Sequence, residues 1–220
     1  MNAAILFDVK ANNETRENVL LVGKELYFYS MKVFYVHPAI DYVVLACCGS
    51  ETMAQVNQYI DCWKSECSIN KPVKAYPKSM DLQRILKELK RVGRQRPALY
   101  VFHDVRYPFV TGDMIYKVIE KAAIHGVAVT AGLVKDDLMT YPEQEAFETE
   151  NLRYMKYPAA FRAGHKIMDE IVEVSEVLDR CAECHPYLCE LTNKNPWIDN
   201  WENVQMADYV IKFDRQCDKG

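Results

Sequence analysis

A carboxylate and a guanidinium stand two residues apart in His103-Asp104-Val105-Arg106-Tyr107. The residues before them, 98–102 (ALYVF), are apolar and of strand length. Both charges therefore arrive at the carboxyl end of a buried strand. Asp104 in that place reads either as a metal ligand or as the cap of a turn or helix. Arg106 reads as a clamp for a phosphate group or as a solvated surface arginine. Lys10, Arg16 and Lys24 add a small basic group upstream, for which a solvated face is the default reading. His103 reads as a packing or hydrogen-bonding residue, with a catalytic imidazole as the rarer alternative.

A second constellation is CAECHPYLC, residues 181–189. Its C-x-x-C spacing suits zinc, with Cys181, Cys184 and Cys189 as ligands and His185 or Cys217 as others that would complete a tetrahedron. Structural zinc sites usually carry two such pairs, and here there is one, so free thiols are the competing reading. The same string matches c-type haem attachment, which needs an exported apoprotein. Trp197 and Trp201, in NPWIDNWEN, read as a contact surface or as core.

The elements that must position these groups alternate between strand and helix. Strands are expected at 3–7, 42–47, 71–75, 98–102 and 127–133. A helix over 24–36 carries Leu26, Ser30, Val33 and His37 on one face, and Pro38 stops it. Ser50 is placed to cap a helix with Met53, Val56, Ile60 and Trp63 inward. Ser79 is placed to cap one with Leu82, Ile85, Leu86 and Leu89 inward. Asp113 is placed to cap another, which Gly126 ends. A long helix is expected after Pro158, with Phe161, His165, Met168, Ile171, Val172, Ser175 and Leu178 along one side. A short strand near 203–206 and a terminal helix close the chain. This alternation predicts an α/β protein with a single, mostly parallel twisted sheet and helices on both faces. Ligands of such sheets bind at the carboxyl ends of strands, so the loops after Phe7, Cys47, Phe102 and Leu133 are where chemistry is sought.

The 220 residues suit one domain over 1–220, and with 50% of them apolar they can build a full core. The net charge of −4 and the scatter of basic residues argue against nucleic acid as a partner. No segment approaches the ~18 apolar residues of a membrane span, and the first residues lack the pattern of a signal peptide. The eight cysteines sit in a chain too long for a small disulfide scaffold. The expected compartment is the reducing cytoplasm, with no membrane partner.

Five segments taken in order carry a family resemblance. GKELYFYSMKVFYVHPAIDYVVLAC (23–47), YVFHDVRYPFVT (100–111), HGVAVTAGLVKDD (125–137), LRYMKYPAAF (152–161) and NVQMADYV (203–210) follow one another as five motifs do in the methylerythritol-phosphate and ribitol-phosphate cytidylyltransferases. The central segment resembles their H-D-A-A-R-P-F-V signature. The resemblance implies a nucleotide-diphospho-sugar-transferase-like fold. It implies a reaction joining CTP to a polyol phosphate, with loss of pyrophosphate. It also implies Mg2+ held by Asp104, and Arg106, Lys10 and Arg16 acting on phosphates. Phe7, Asp8, Val9, Ala11, Lys78, Asp81, Asp137 and Gln205 fall at the family's nucleotide-binding positions. Residues 138–151 stand where family members carry a dimerisation arm, which implies a homodimer. Residues 181–202 read as a Cys-rich insertion or docking segment.

The chain also departs from the pattern. Its first loop, FDVKANNETREN (7–18), has no glycine, and Glu17 falls near the family's lysine. Tyr107 takes the arginine position, with Arg106 one residue early. Asp81, Asp137 and Gln205 replace a serine, a threonine and a lysine. These substitutions motivate a second expectation, a catalytically degenerate paralogue acting as a regulatory or scaffolding subunit.

Overall fold

The uninterrupted apolar runs become the centre of a sheet whose two faces are both covered. The computed structural model describes residues 1–9, 20–21, 23–66, 71–77, 79–92, 97–133, 138–139, 146–147, 153–173, 176–190, 195, 197–198, 204–205 and 207. The elements are β1 (Asn2–Val9), β2 (Leu20–Leu21), β3 (Lys24–Glu25), α1 (Leu26–Val36), β4 (Tyr42–Cys47), α2 (Ser50–Glu66), β5 (Val73–Pro77), α3 (Leu82–Val92) and β6 (Leu99–Asp104). They continue with α4 (Gly112–His125), β7 (Val127–Leu133), β8 (Leu138–Met139), β9 (Ala146–Phe147), β10 (Arg153–Arg162), a 3-10 turn (Lys166–Asp169), α5 (Val177–Glu183) and β11 (Tyr187–Glu190).

Seven strands form one sheet in the order β11-β7-β10-β6-β1-β4-β5. The pairs β1–β4, β1–β6, β4–β5 and β7–β11 are parallel, while β10 runs antiparallel to β6 and β7. The expected mostly parallel α/β sheet is what forms. Strand order reverses between β1 and β6, because β4 and β5 lie on one side of β1 and every later strand on the other. That reversal opens a crevice at the carboxyl ends of β1 and β6.

Residues alternate across the sheet. Ala3, Ile5 and Phe7 enter one core with α3, α5 and β10, whereas Ala4 and Leu6 enter the other with α1, α2 and α4. Strict alternation would send Val9 to the first core, yet it lies in the second. The register of β1 against β4 shifts between Leu6 and Val9, and Asp8 there has φ 58°. Asp tolerates the left-handed region better than most residues, and the bulge aims its side chain out of the strand end.

Several elements differ from expectation for physical reasons. The helix expected after Pro158 is instead β10 followed by the 3-10 turn. Gly164 at φ 87° breaks the chain direction between them. Pro158 sits where the β10–β7 register shifts between Lys156 and Ala159, a place that tolerates a residue without an N–H. Helix α1 buries Tyr27, Ser30, Met31, Phe34 and Tyr35; of the expected face Ser30 and His37 are buried and Leu26 and Val33 half-buried, so the buried surface is broader than expected. The helix is apolar on more than one side because a third cluster (Leu21, Ile198, Val204 and Ala207) packs against its Leu26 and Tyr29. Thr111, rather than Asp113, caps α4, its hydroxyl accepting from the Met114 N–H. Val204, Gln205 and Ala207 are helical where a strand was expected. Residues 181–190 end α5 and build β11, an edge strand of the main sheet, so this part of the expected insertion belongs to the sheet. Trp63 and Ser50 have side chains outside the described residues, as does the expected terminal helix. Among the described residues, no helix is long and apolar enough to cross a membrane.

Buried polar contacts fix α1 to its neighbours. His103, fully buried at the end of β6, shares a 3.0 Å hydrogen bond with the Ser30 hydroxyl. His37 Nδ1 accepts from the Ala39 N–H, and its Nε2 lies 3.0 Å from the Gly112 carbonyl. Lys71 donates to the Phe34 and His37 carbonyls at the end of α1, and burial pushes its ammonium down to about 8. Burial also lowers His37 and pushes His103 down to about 3.

Both imidazoles are therefore neutral when folded and gain protons on unfolding below the ordinary histidine value of about 6.5. Stability is full above that pH and falls as pH drops through the window from 6.5 towards 3. Between pH 6.5 and 5 His103 contributes a slope of up to about 1.4 kcal/mol per pH unit, and His37 acts in the same direction. Urea unfolding across that interval is expected to show His103→Phe with a shallower pH dependence than the wild-type chain. Equal slopes would refute the assignment.

Candidate active site

Because Phe7 pairs with Asp104 across β1 and β6, Asp8 and Asp104 emerge side by side at the crevice. Both are buried. Two carboxylates so placed need a cation, and the turn after β6 supplies one from within the chain. The Arg106 backbone N–H donates to Asp104 Oδ1 at 2.9 Å, turning the chain back over the strand end. Its Nε lies 3.0 Å from each Asp104 oxygen and 3.0 Å from Asp8 Oδ2, and its Nη2 lies 2.5 Å from Asp104 Oδ2. The indole of Trp197 stacks on the guanidinium, 4.8 Å from ring centre to guanidinium carbon. The Arg106 carbonyl accepts from the Ile198 N–H, and Asn195 Oδ1 accepts from the Phe109 N–H. The segment around Asn195 thus clamps the 105–109 turn.

Burial lifts the Asp104 carboxyl above its ordinary value, and the Arg106 donors oppose it. Burial also disfavours the Arg106 charge, but the hydrogen bonds and charges of Asp104 and Asp8 outweigh it and raise the guanidinium further. Both Asp104 oxygens receive N–H donors, which fits a carboxylate and leaves no place for an acid proton. Asp104 and Arg106 therefore form an ion pair, with Asp8 Oδ2 as the guanidinium's further acceptor. Tyr157 and Tyr107 border it, and burial pushes Tyr107 up to about 12 and Tyr157 higher still. Neither is a base near neutral pH.

The crevice has a volume of about 720 Å³, with Phe7, Asp8, Cys48, Ser79, Met80, Asp81, Asp104, Arg106, Tyr107, Tyr157, Val172, Glu173, Leu178, Asp179 and Trp197 as its lining. Four expected residues, Phe7, Asp8, Asp104 and Arg106, are brought together here, and Asp81 stands at the rim. Asp81 Oδ1 accepts from the Gln83 N–H, so Asp81 caps α3 where Ser79 was expected to. Val9 is fully buried, and its carbonyl accepts from the Cys48 N–H. Gln205 is exposed and does not line the crevice. Lys10, Ala11, Arg16, Lys78 and Asp137 lie outside the described residues. Sequence reasoning missed Tyr157, Glu173, Asp179 and Trp197 as lining residues. The signal for Trp197 was its place in NPWIDNWEN, readable as contact or core but without a pointer to Arg106.

Among the described lining residues five carboxylates (Asp8, Asp81, Asp104, Glu173 and Asp179) face one guanidinium. No three His, Cys, Asp or Glu side chains among the described residues come together as a metal set. Mg2+ does not fit at Asp104 with Arg106 in place, since the arginine engages both carboxylate oxygens. The zinc expectation meets a topological obstacle. Cys181 belongs to the core on one face of the sheet and Cys189 to the core on the other, so the three thiols do not converge. Burial raises the Cys181 thiol and pushes Cys189 up to about 11, which suits inert buried thiols. The buried His103–Ser30 pair has hydrogen-bond geometry but no access to solvent, and its role is structural.

The fold is similar to that of several solved enzymes. The 4-diphosphocytidyl-2C-methyl-D-erythritol synthase of Anaerococcus prevotii superposes with a TM-score of 0.72 at 14% identity, covering 96% of each chain. The 2-C-methyl-D-erythritol 4-phosphate cytidylyltransferase of Thermus thermophilus gives 0.66 at 17% identity, covering 96% of this chain and 100% of that one. The enzyme of the same description from Francisella tularensis gives 0.64 at 15% identity, covering 95% and 99%. No family model and no curated protein matches the sequence. At these identities the likeness is one of fold, and it spans nearly the whole of each chain.

The Asp104–Arg106 ion pair gives a stability prediction. Asp104→Asn keeps the shape but puts an amide N–H₂ against the Arg106 donors, leaving buried groups unsatisfied. A loss of roughly 1–3 kcal/mol is expected in urea unfolding near neutral pH, and an unchanged midpoint would show that the pair does not hold the turn.

Proposed function

We propose that this chain is a divergent nucleotidyltransferase of the cytidylyltransferase type, joining CTP to a polyol phosphate of the methylerythritol or ribitol phosphate kind. What supports this reading is the coincidence of a full-length cytidylyltransferase fold with a crevice at its switch point holding the strand-end Asp104 and a guanidinium. In the proposed reaction an oxygen of the polyol phosphate attacks the α-phosphorus of CTP. The bond from that phosphorus to the oxygen bridging to the β-phosphate breaks, and pyrophosphate leaves with that oxygen's electron pair.

Charge is the obstacle, because the described lining is mostly acidic and a triphosphate is an anion. In this reading Lys10, Arg16 and Lys78 are assigned, together with Arg106, the positive charge for the phosphates. Backbone N–H groups around Val9 and Ala11 stand in for the glycine-rich cradle. Phe7, Tyr107 and Tyr157 offer aromatic surface for a base. Asp81 and Asp137 keep their assignment as nucleotide-binding positions within the proposal, and Gln205, which does not line the crevice, drops out of it. Residues 138–151 are proposed as a dimerisation arm. Leu138 pairs with Phe147 and Met139 with Ala146, a small antiparallel ladder separate from the main sheet, which suits an arm.

Calorimetric titration with CTP and Mg2+, with ATP and GTP as controls, tests the nucleotide. Selective micromolar CTP binding is expected, with pyrophosphate release in the presence of the right polyol phosphate. Asp104→Ala is expected to reduce that turnover by about 10²–10³-fold, the cost typical of losing one preorganised group. Absence of binding by any nucleotide up to millimolar concentration would overturn the proposal in favour of a degenerate, partner-binding paralogue. Gel filtration tests the arm. Elution as a dimer at micromolar concentration is expected, and a monomer would refute it.

A further inference from the structure

The position that the resemblance gives to a metal ion is filled by a side chain. Arg106 is held there from four directions: by its own N–H on Asp104, by its fork across Asp104, by Asp8, and by the Trp197 ring. A divalent cation on these carboxylates would need oxygen ligands at about 2.0–2.6 Å. The Arg106 nitrogens, 2.5–3.0 Å from the same oxygens, occupy that volume. Arginine keeps its charge at any pH where the protein folds, so it cannot step aside by losing a proton. An incoming metal would meet a fixed positive charge, an Asp104 carboxylate with both oxygens engaged, and an Asp8 whose Oδ2 is held by the same arginine.

We propose that Arg106 is a tethered replacement for the divalent cation at the Asp8–Asp104 pair, so that the native crevice takes up no metal ion on its own carboxylates. The one-residue displacement of the arginine in the 103–107 stretch is what makes this possible. From position 106 the side chain folds back two residues onto Asp104, whereas position 107 carries a tyrosine that borders the crevice. The proposal rests on reading the crevice as a nucleotide site only for what the cation would serve, and its test needs no nucleotide.

The probe is Mn2+ alone, titrated into the full chain and followed by electron paramagnetic resonance of the free ion. The wild-type chain is expected to show no saturable site below millimolar Mn2+. Arg106→Gln, which removes the charge and keeps much of the volume, is expected to gain a site at least tenfold tighter. Adding Asp104→Asn to that variant is expected to remove it. Arg106→Lys, which retains a positive charge, is expected to stay without a site, and it tests the proposal even if the glutamine variant folds poorly. Micromolar Mn2+ binding by the wild-type chain that vanishes in Asp104→Asn would overturn the proposal. So would a folded Arg106→Gln chain, checked by circular dichroism, that gains no site. Failure here is separate from failure to bind CTP, since no nucleotide is present.

Discussion

Two like charges cannot sit side by side in a buried place without a counter-charge, and the β1–β6 pairing puts them there. The register that sets Phe7 opposite Asp104 leaves Asp8 and Asp104 adjacent where strand order reverses between β1 and β6. Removing ions from water costs several kcal/mol each, and the cost is offset only when geometry and hydrogen bonding are good. The turn after β6 meets that requirement with a single residue. Arg106 contributes its backbone N–H and its guanidinium, and its carbonyl receives Ile198. The path of the 105–109 turn, the seat of Trp197 and the shape of the crevice all follow from that one satisfied cluster.

The rest of the fold holds the two strand ends still. β1 and β6 are central strands, covered on both faces, so neither carboxylate can move without moving two cores. On one face the His103–Ser30 bond fastens the last turn of β6 to α1. On the other, Phe7 and Tyr157 meet edge to face at 4.9 Å beneath the crevice. Residues 103 and 104 therefore divide their work by strand parity. His103 points into the core and is kept neutral, and Asp104 points to the crevice and is kept charged. A His-Asp pair that looks like one chemical unit in the sequence is two separate devices in the fold.

The sheet was legible because buried parallel strands read as continuous apolar runs, and residues 42–47, 98–102 and 127–133 are such runs. Parity within β1 was not, since it depends on a bulge at Asp8 that no composition signals. The misread helix after Pro158 followed from apolar spacing that a strand, a 3-10 turn and a short helix share between them. Gly164 was the available warning. In the site, Asp8, Asp104 and Arg106 were legible as types and places, but their mutual contact was not. That contact depends on which way a turn folds, and the decisive clamp from residues 195–198 comes from about ninety residues further along the chain.

The same displacement of one residue explains both what the chain keeps and what it changes. Arg106 reaches back, satisfies Asp104 and takes Asp8 as a second partner. The strand-end carboxylates are then met by a side chain of the chain itself, and the described lining stays mostly acidic, which disfavours an anion. Any triphosphate chemistry in this crevice must therefore draw its positive charge from groups other than Arg106, the one basic residue among the described lining.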